Sequence, residues 1–292
     1  VTIREAYGPN KFGLSFELFP PKTAAGEDAL WRNLEELMAF RPSFVTCTYG
    51  AAGSTRDKTL EIVTEVRRRY RCSVASHLTC VGATVDQLRE YLAAARERGI
   101  ENIVALRGDP PRGETSFKPV DGGLRYANEL VALIRAEFPQ FGVAVAGYPE
   151  THQEAPSPEA DLANLRRKVA AGGDIVITQL FYDNADFFRF QSACRAIGIE
   201  VPIVPGIMPV TNCAQIKRIT SMCKARLPAD LLAKLEAAGE DEAAQFEIGV
   251  AHATCQVKEL IAAGVPGIHF YVLNKSPATA RVLEAVPPRT NC

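Results

Sequence analysis

The sequence predicts a closed (β/α)8 barrel that carries extra helices between its seventh and eighth strands. Three observations predict it. Short β-rich runs alternate with amphipathic helical patterns almost from end to end. Most of those runs are continuously apolar, as strands buried on both faces of a parallel sheet are. Successive runs begin about 30 residues apart, and 292 residues is a length that suits eight such units. The rival, an open doubly wound sheet, calls for a glycine-rich turn after its first strand. This chain has Glu17-Leu18-Phe19-Pro20-Pro21 there. No linker, low-complexity tract or shift in composition divides the chain, so residues 1–292 read as one catalytic barrel domain.

The strands are expected at Leu14–Leu18, Phe44–Thr48, Val74–Leu78, Asn102–Leu106, Gly142–Gly147, Ile175–Gln179, Ile203–Pro205 and Gly267–Tyr271. Helices are expected between them around Ala29–Phe40, Lys58–Tyr70, Leu124–Phe138 and Ala185–Ile197. Two more have readable ends. Thr84 and Gln87 have capping-box spacing, Leu88, Leu92 and Ala95 then share one face, and Gly99 sits where a left-handed cap is wanted. Ser157-Pro158 is a cap followed by proline at the first helical position, and Gly172-Gly173 ends that helix. The last interval is longer than the others and adds helical sequence at Pro228–Ala238 and Asp241–Ala263.

Composition narrows the function. With 33 basic and 34 acidic residues the net charge is −1, which offers no electrostatic footprint for nucleic acid or an anionic membrane. No apolar run is long enough to span a bilayer, and Val1–Phe12 lacks the core of a signal peptide. The eight cysteines have no C-x-x-C spacing and sit in apolar segments, as reduced, buried thiols do. A cytoplasmic protein is the expectation.

A barrel places its chemistry at the C-terminal ends of its strands. Those ends are Glu17, Thr48-Tyr49-Gly50, His77, Arg107-Gly108-Asp109, Tyr148-Pro149-Glu150 with His152, Thr178-Gln179 and Asn274-Lys275. Glu17 is flanked by Phe16 and Phe19; burial among them would raise its pKa and suit it to donate a proton. A solvated strand-end carboxylate is the equal alternative. Arg107 and Asp109 read as a structural ion pair at least as readily as a functional one. His252, in a helix, and His269, within the last strand, read as structural histidines; His77 and His152 fall at the mouth. No metal-ligand spacing joins the four histidines, so no metal is expected.

In the helix over 160–171, Leu162, Leu165 and Val169 form an apolar stripe that should face the barrel. Asp161, Asn164 and Lys168 repeat the spacing one position earlier, about 100° round. Such a stripe can grip a sugar and phosphates, although for an arbitrary helix a solvated face is the commoner reading. Dinucleotide-binding, Walker A, nucleophile-elbow and kinase motifs are absent, and no lysine ends strand six for a Schiff base.

The motifs Ser15–Pro21, Val45–Gly50, His77–Cys80, Leu106–Asp109, Tyr148-Pro149-Glu150 with His152, Asp161–Lys168, Ile177-Thr178-Gln179 and Pro205–Pro209, in that order, resemble the bacterial-type 5,10-methylenetetrahydrofolate reductase family. The resemblance implies a TIM barrel with FAD at its mouth. NADH or NADPH reduces the flavin and leaves; methylenetetrahydrofolate then takes the vacant face and becomes 5-methyltetrahydrofolate, feeding methionine synthesis. It implies Glu17 as the acid that protonates the folate N10. Asp109 becomes the charge beside flavin and pterin, and Gln179 an amide bonding folate and nicotinamide in turn. Thr48, His77, Arg107, Gly108, Asp109, Tyr126, Ala127, Tyr148, His152, Asp161, Asn164, Arg167 and Lys168 are implied as FAD contacts. A homo-oligomer is expected.

Three departures from the family stand out. Cys213 occupies a position where relatives often carry a phenylalanine, losing a stacking platform worth about 1 kcal/mol. Lys275 stands where relatives often have arginine, which exchanges a bidentate grip on the substrate for a point charge. The Pro110–Arg125 loop is longer. No regulatory domain follows the barrel in this sequence, so control by S-adenosylmethionine is not expected. The competing readings are a proline-dehydrogenase-like FAD barrel and a barrel that binds folate or flavin without catalysis.

Overall fold

The computed structural model describes residues 2–8, 11–48, 56–110, 113–114 and 116–286. Tyr49, Gly50, part of the Pro110–Arg125 loop and Cys292 lie outside them. The elements run α1 (Ile3–Ala6), β1 (Gly13–Leu18), α2 (Ala24–Met38), β2 (Phe44–Cys47), α3 (Arg56–Tyr70), β3 (Ser73–Thr79), α4 (Val85–Glu97) and β4 (Asn102–Leu106). They continue α5 (Ala127–Glu137), β5 (Gly142–Gly147), α6 (Pro158–Ala170), β6 (Ile175–Thr178), α7 (Asn184–Ala196), β7 (Ile203–Val204) and β8 (Gly206–Ile207). The chain then forms α8 (Cys213–Cys223), α9 (Ala229–Ala237), α10 (Glu242–Ala262), β9 (Gly267–Tyr271) and α11 (Pro277–Ala285).

All strand pairs are parallel, in the order β7-β6-β5-β4-β3-β2-β1-β9-β8. The barrel is the one the sequence predicts, with its seventh strand in two halves. β7 pairs with β6 and β8 with β9, so the ring closes across Pro205. Proline has no N–H to give the ladder. Its carbonyl still accepts from the His269 N–H at 3.0 Å, and the Gly206 N–H turns to Thr178 Oγ1 at 2.9 Å.

Alternation along the strands makes two cores. Phe16, Leu18, Val45, Cys47, Val74 and Phe270 face outward and pack on Leu30, Leu34, Leu37 and Leu92 of the helices. Each such fully buried side chain contributes about 2 kcal/mol of transfer free energy. Phe44, Ala75, Val104, Ala144, Ile177 and Val204 point inward and fill the lower barrel. Ile3, Ala6 and Tyr7 join that inner core, so α1 plugs the N-terminal end. The Ile3 N–H donates to Asn102 Oδ1 at 2.7 Å and fastens the plug.

The helix signals act as their chemistry requires. Thr84 and Gln87 form the reciprocal capping box, and Gly99 takes φ +73° just past the end of α4. Ser157 caps α6 with Pro158 behind it. α5 begins three residues later than expected, because the Glu129 carboxylate accepts from the N–H groups of Arg125 and Tyr126. α1, α8 and α11 are additions to the predicted set. α8 and α9 rest on a satellite cluster of Tyr182, Met208, Val210, Ile216, Leu231 and Leu235.

Candidate active site

At the C-terminal mouth the inward residues become polar. The parallel register sets Glu17 beside Thr46 and Tyr271 on its two neighbouring strands. Glu17 Oε2 lies 3.2 Å from His77 Nε2 and 3.4 Å from His269 Nε2. His269, fully buried, bonds Ser15 Oγ through Nδ1 at 2.8 Å, and Ser15 bonds the Tyr7 hydroxyl at 2.9 Å. A polar file thus climbs the barrel axis from the plug to the mouth. The His77 contact is electrostatic rather than aligned, and both its ring nitrogens, like Thr46 Oγ1, lack a hydrogen-bond partner. Buried polar atoms of that kind mark room for water or ligand.

This corrects two expectations. Phe16 faces the helix layer and Phe19 is 39% exposed, so the aromatics do not surround the Glu17 carboxyl. Burial does push that carboxyl up, but the two imidazoles outweigh it and hold the group ionised, at about 2. His269, expected to be structural, is buried and satisfied, but it also borders the candidate site, because its second nitrogen reaches the carboxylate. Strand periodicity placed His269 in the right strand; only the barrel's closure brings it to Glu17.

Beside this cluster, over the ends of β4 and β5 and along α6, lies a cleft of about 730 Å³. Arg107, Tyr126, Ala127, Tyr148, His152, Asp161, Asn164, Arg167 and Lys168 line it together. The polar stripe of α6 therefore faces a cavity, while Leu165 is buried beneath. Lys168 Nζ donates to the Ala146 carbonyl at 2.6 Å and lies 5.7 Å from the Tyr148 ring centroid. Burial pulls its ammonium down to about 8. Asp161 accepts from the His152 N–H at 2.9 Å and so fixes the loop after β5. Phe117, Arg125 and Glu154 also line the cleft, and no sequence motif had marked them.

Thr48, His77, Gly108 and Asp109 do not line the cleft. Gly108 has φ +88°, and a Cβ there would meet Val81 Cγ1 at 2.6 Å, so the turn requires glycine. Asp109 is exposed. Arg107 does not pair with it; both guanidinium nitrogens bond the Glu154 carboxylate, at 2.7 and 2.6 Å. Gln179 accepts from the Leu180 N–H at 2.9 Å. The Cys213 N–H, at the start of α8, donates to Gln245 Oε1 at 2.6 Å. Lys275 is exposed at the rim. Among the described residues no cluster of His, Cys, Asp and Glu could hold a metal, and the described cysteines are free thiols.

The fold and the site define an α/β barrel whose mouth joins a carboxylate–imidazole cluster to a cleft lined by four cationic side chains. The sequence comparisons are specific. The chain belongs to the methylenetetrahydrofolate reductase family, whose description it matches over residues 2–287. It is 41% identical over 279 residues to 5,10-methylenetetrahydrofolate reductase of Escherichia coli, covering 96% of this chain and 92% of that one. It is 40% identical over 291 residues to methylenetetrahydrofolate reductase (NADH) 1 of Zea mays, covering 96% of this chain and 49% of that one. The chain thus spans about half the length of the plant relatives it matches. A solved Clostridium thermocellum protein, described as binding two copies of 5-methyl-5,6,7,8-tetrahydrofolic acid, shares the fold at TM-score 0.63 and 13% identity, covering 97% of each chain.

Proposed function

We propose that this barrel reduces 5,10-methylenetetrahydrofolate to 5-methyltetrahydrofolate with NADH or NADPH, holding FAD in the cleft. The observation that carries the reading is the adjacency of the Glu17 cluster to a cleft lined by cations, hydrogen-bonding groups and an aromatic ring. When bound, FAD supplies a two-electron carrier between the nicotinamide and the folate.

The cleft's donor set fits that group. Lys168, Arg167 and Arg107 suit a diphosphate, and Asp161 and Asn164 suit hydroxyls of a sugar chain. Tyr126, Ala127, Tyr148 and His152 supply the remaining walls. Thr48, His77, Gly108 and Asp109, at or just after the ends of β2, β3 and β4, would border the ring system. Gln179 would bond folate and nicotinamide in turn, Cys213 would border the same face, and Lys275 would meet the anionic tail of the folate.

Glu17 delivers a proton to N10 of the substrate, which opens the five-membered ring to an iminium ready for hydride. The carboxyl is ionised in the free protein, so it must take up a proton before it gives one to N10. The negative charge of Asp109 steadies the cation that forms. NADH is the proposed donor, as in the names of the plant relatives. Among the described residues no helix is long and apolar enough to cross a membrane. We further place the barrel, as a homo-oligomer, in the cytoplasm. Anaerobic titration tests the reading. NADH should bleach the bound flavin, and methylenetetrahydrofolate should restore its colour; protein that never bleaches would refute it.

A further inference from the structure

Four cationic side chains line the cleft, and among the described residues Arg107 alone has an acid in contact. Arg167 bonds the neutral Asn164 side chain and Lys168 a backbone carbonyl. Glu154 instead takes both guanidinium nitrogens of Arg107 at once. That two-pronged contact is the geometry a phosphate would use on the same fork.

The pair also bridges the cleft, because Arg107 follows β4 whereas Glu154 sits in the loop after β5. Each side is held by other contacts. The Arg107 guanidinium lies 5.0 Å from the Phe117 ring centroid, and the Glu154 N–H donates to His152 Nδ1 at 3.2 Å. The Glu154 side chain is 36% exposed, so it has solvent to swing into when released.

We propose that Glu154 is a built-in competitor for the phosphates of the cofactor. It occupies the Arg107 fork until an incoming diphosphate displaces it, and it thereby sets how readily the flavin nucleotide is gained and lost. The proposal rests on the reading of the cleft as an FAD site.

The test is titration of flavin-free protein with FAD, followed by flavin fluorescence, for wild type, E154Q, R107Q and the double variant. E154Q should bind FAD about tenfold more tightly, the scale of one competing charge. It should also lose FAD more slowly on dilution. R107Q should bind more weakly, and in its background E154Q should gain nothing. Equal or weaker binding by E154Q would mean that Glu154 positions Arg107, and would overturn the proposal. A gain that persists undiminished without Arg107 would also overturn it, as a general charge effect. Wild-type protein that binds no FAD would instead bring down the assignment of the cleft and this proposal with it.

Discussion

His269 Nε2 lies 3.4 Å from the Glu17 carboxylate, although 252 residues separate them in the chain. The contact exists because β9 closes the barrel against β1, with Ser15 opposite His269 and Glu17 opposite Tyr271. Together with the charge of His77, the larger influence, it reverses the effect of burial on Glu17. The ionisation of Glu17 is therefore a property of the cluster rather than of one carboxyl.

Glu17→Gln should leave reduction of the flavin by NADH nearly intact and slow folate reduction at least about a hundredfold, the usual scale for a general acid. His269→Asn should slow the same half-reaction by about tenfold and shift its pH profile. Stopped-flow traces of the two half-reactions separate these effects. Equal loss in both half-reactions would show that the residues hold the fold rather than the proton.

Acid should expose the ionised state of Glu17. Its folded pKa, about 2, lies below the ordinary 4.5. The stability this ionisation contributes is present above about pH 4.5 and is lost as pH falls towards 2. Urea unfolding of wild type and Glu17→Gln should therefore differ in pH dependence over that window, by no more than about 3 kcal/mol. Parallel curves would show a carboxyl with an unshifted pKa.

Lys168 gives a second pH signature. In the free protein its ammonium titrates at about 8, so FAD affinity should fall between pH 7 and 9 and binding should take up protons. Lys168→Arg should flatten that dependence, and Lys168→Ala should weaken FAD retention throughout. The same depression makes the residue a cost to folding below pH 8, relieved as pH climbs towards 10.5. Calorimetry in buffers of different ionisation enthalpy measures the uptake.

A structural prediction concerns α10. A Cβ on Gly249 would meet the Val210 carbonyl oxygen at 1.9 Å and its carbon at 2.7 Å. Both are backbone atoms, so the helix or the segment after β8 must move. Gly249→Ala should cost about 3 kcal/mol and lower Tm by about 6–12 °C, read by thermal unfolding.

The barrel was legible because its strands are continuous apolar runs and its helix ends carry capping chemistry. The stripe of α6 was legible for a related reason, since one helical period sorts Leu165 from Asp161 and Lys168. What stayed hidden depends on contacts between distant segments. Nothing near Arg107 distinguishes Asp109 from Glu154 as its partner; the choice belongs to the loop after β5. Nothing near Glu17 announces His269. The seventh strand was expected to end at Pro205, and nothing local shows that it resumes at Gly206–Ile207 to pair with β9. α1 is too short for periodicity to reveal, and α8 is stabilised by a cluster drawn from several elements.

The plug formed by α1 has a kinetic consequence. It completes a barrel whose lower half is already filled by side chains, so among the described residues the mouth is the open end. In the proposed reaction donor and acceptor must use it by turns. Slow departure of one spent reactant then delays the next arrival, so crowding by either substrate should throttle turnover that the other would otherwise sustain.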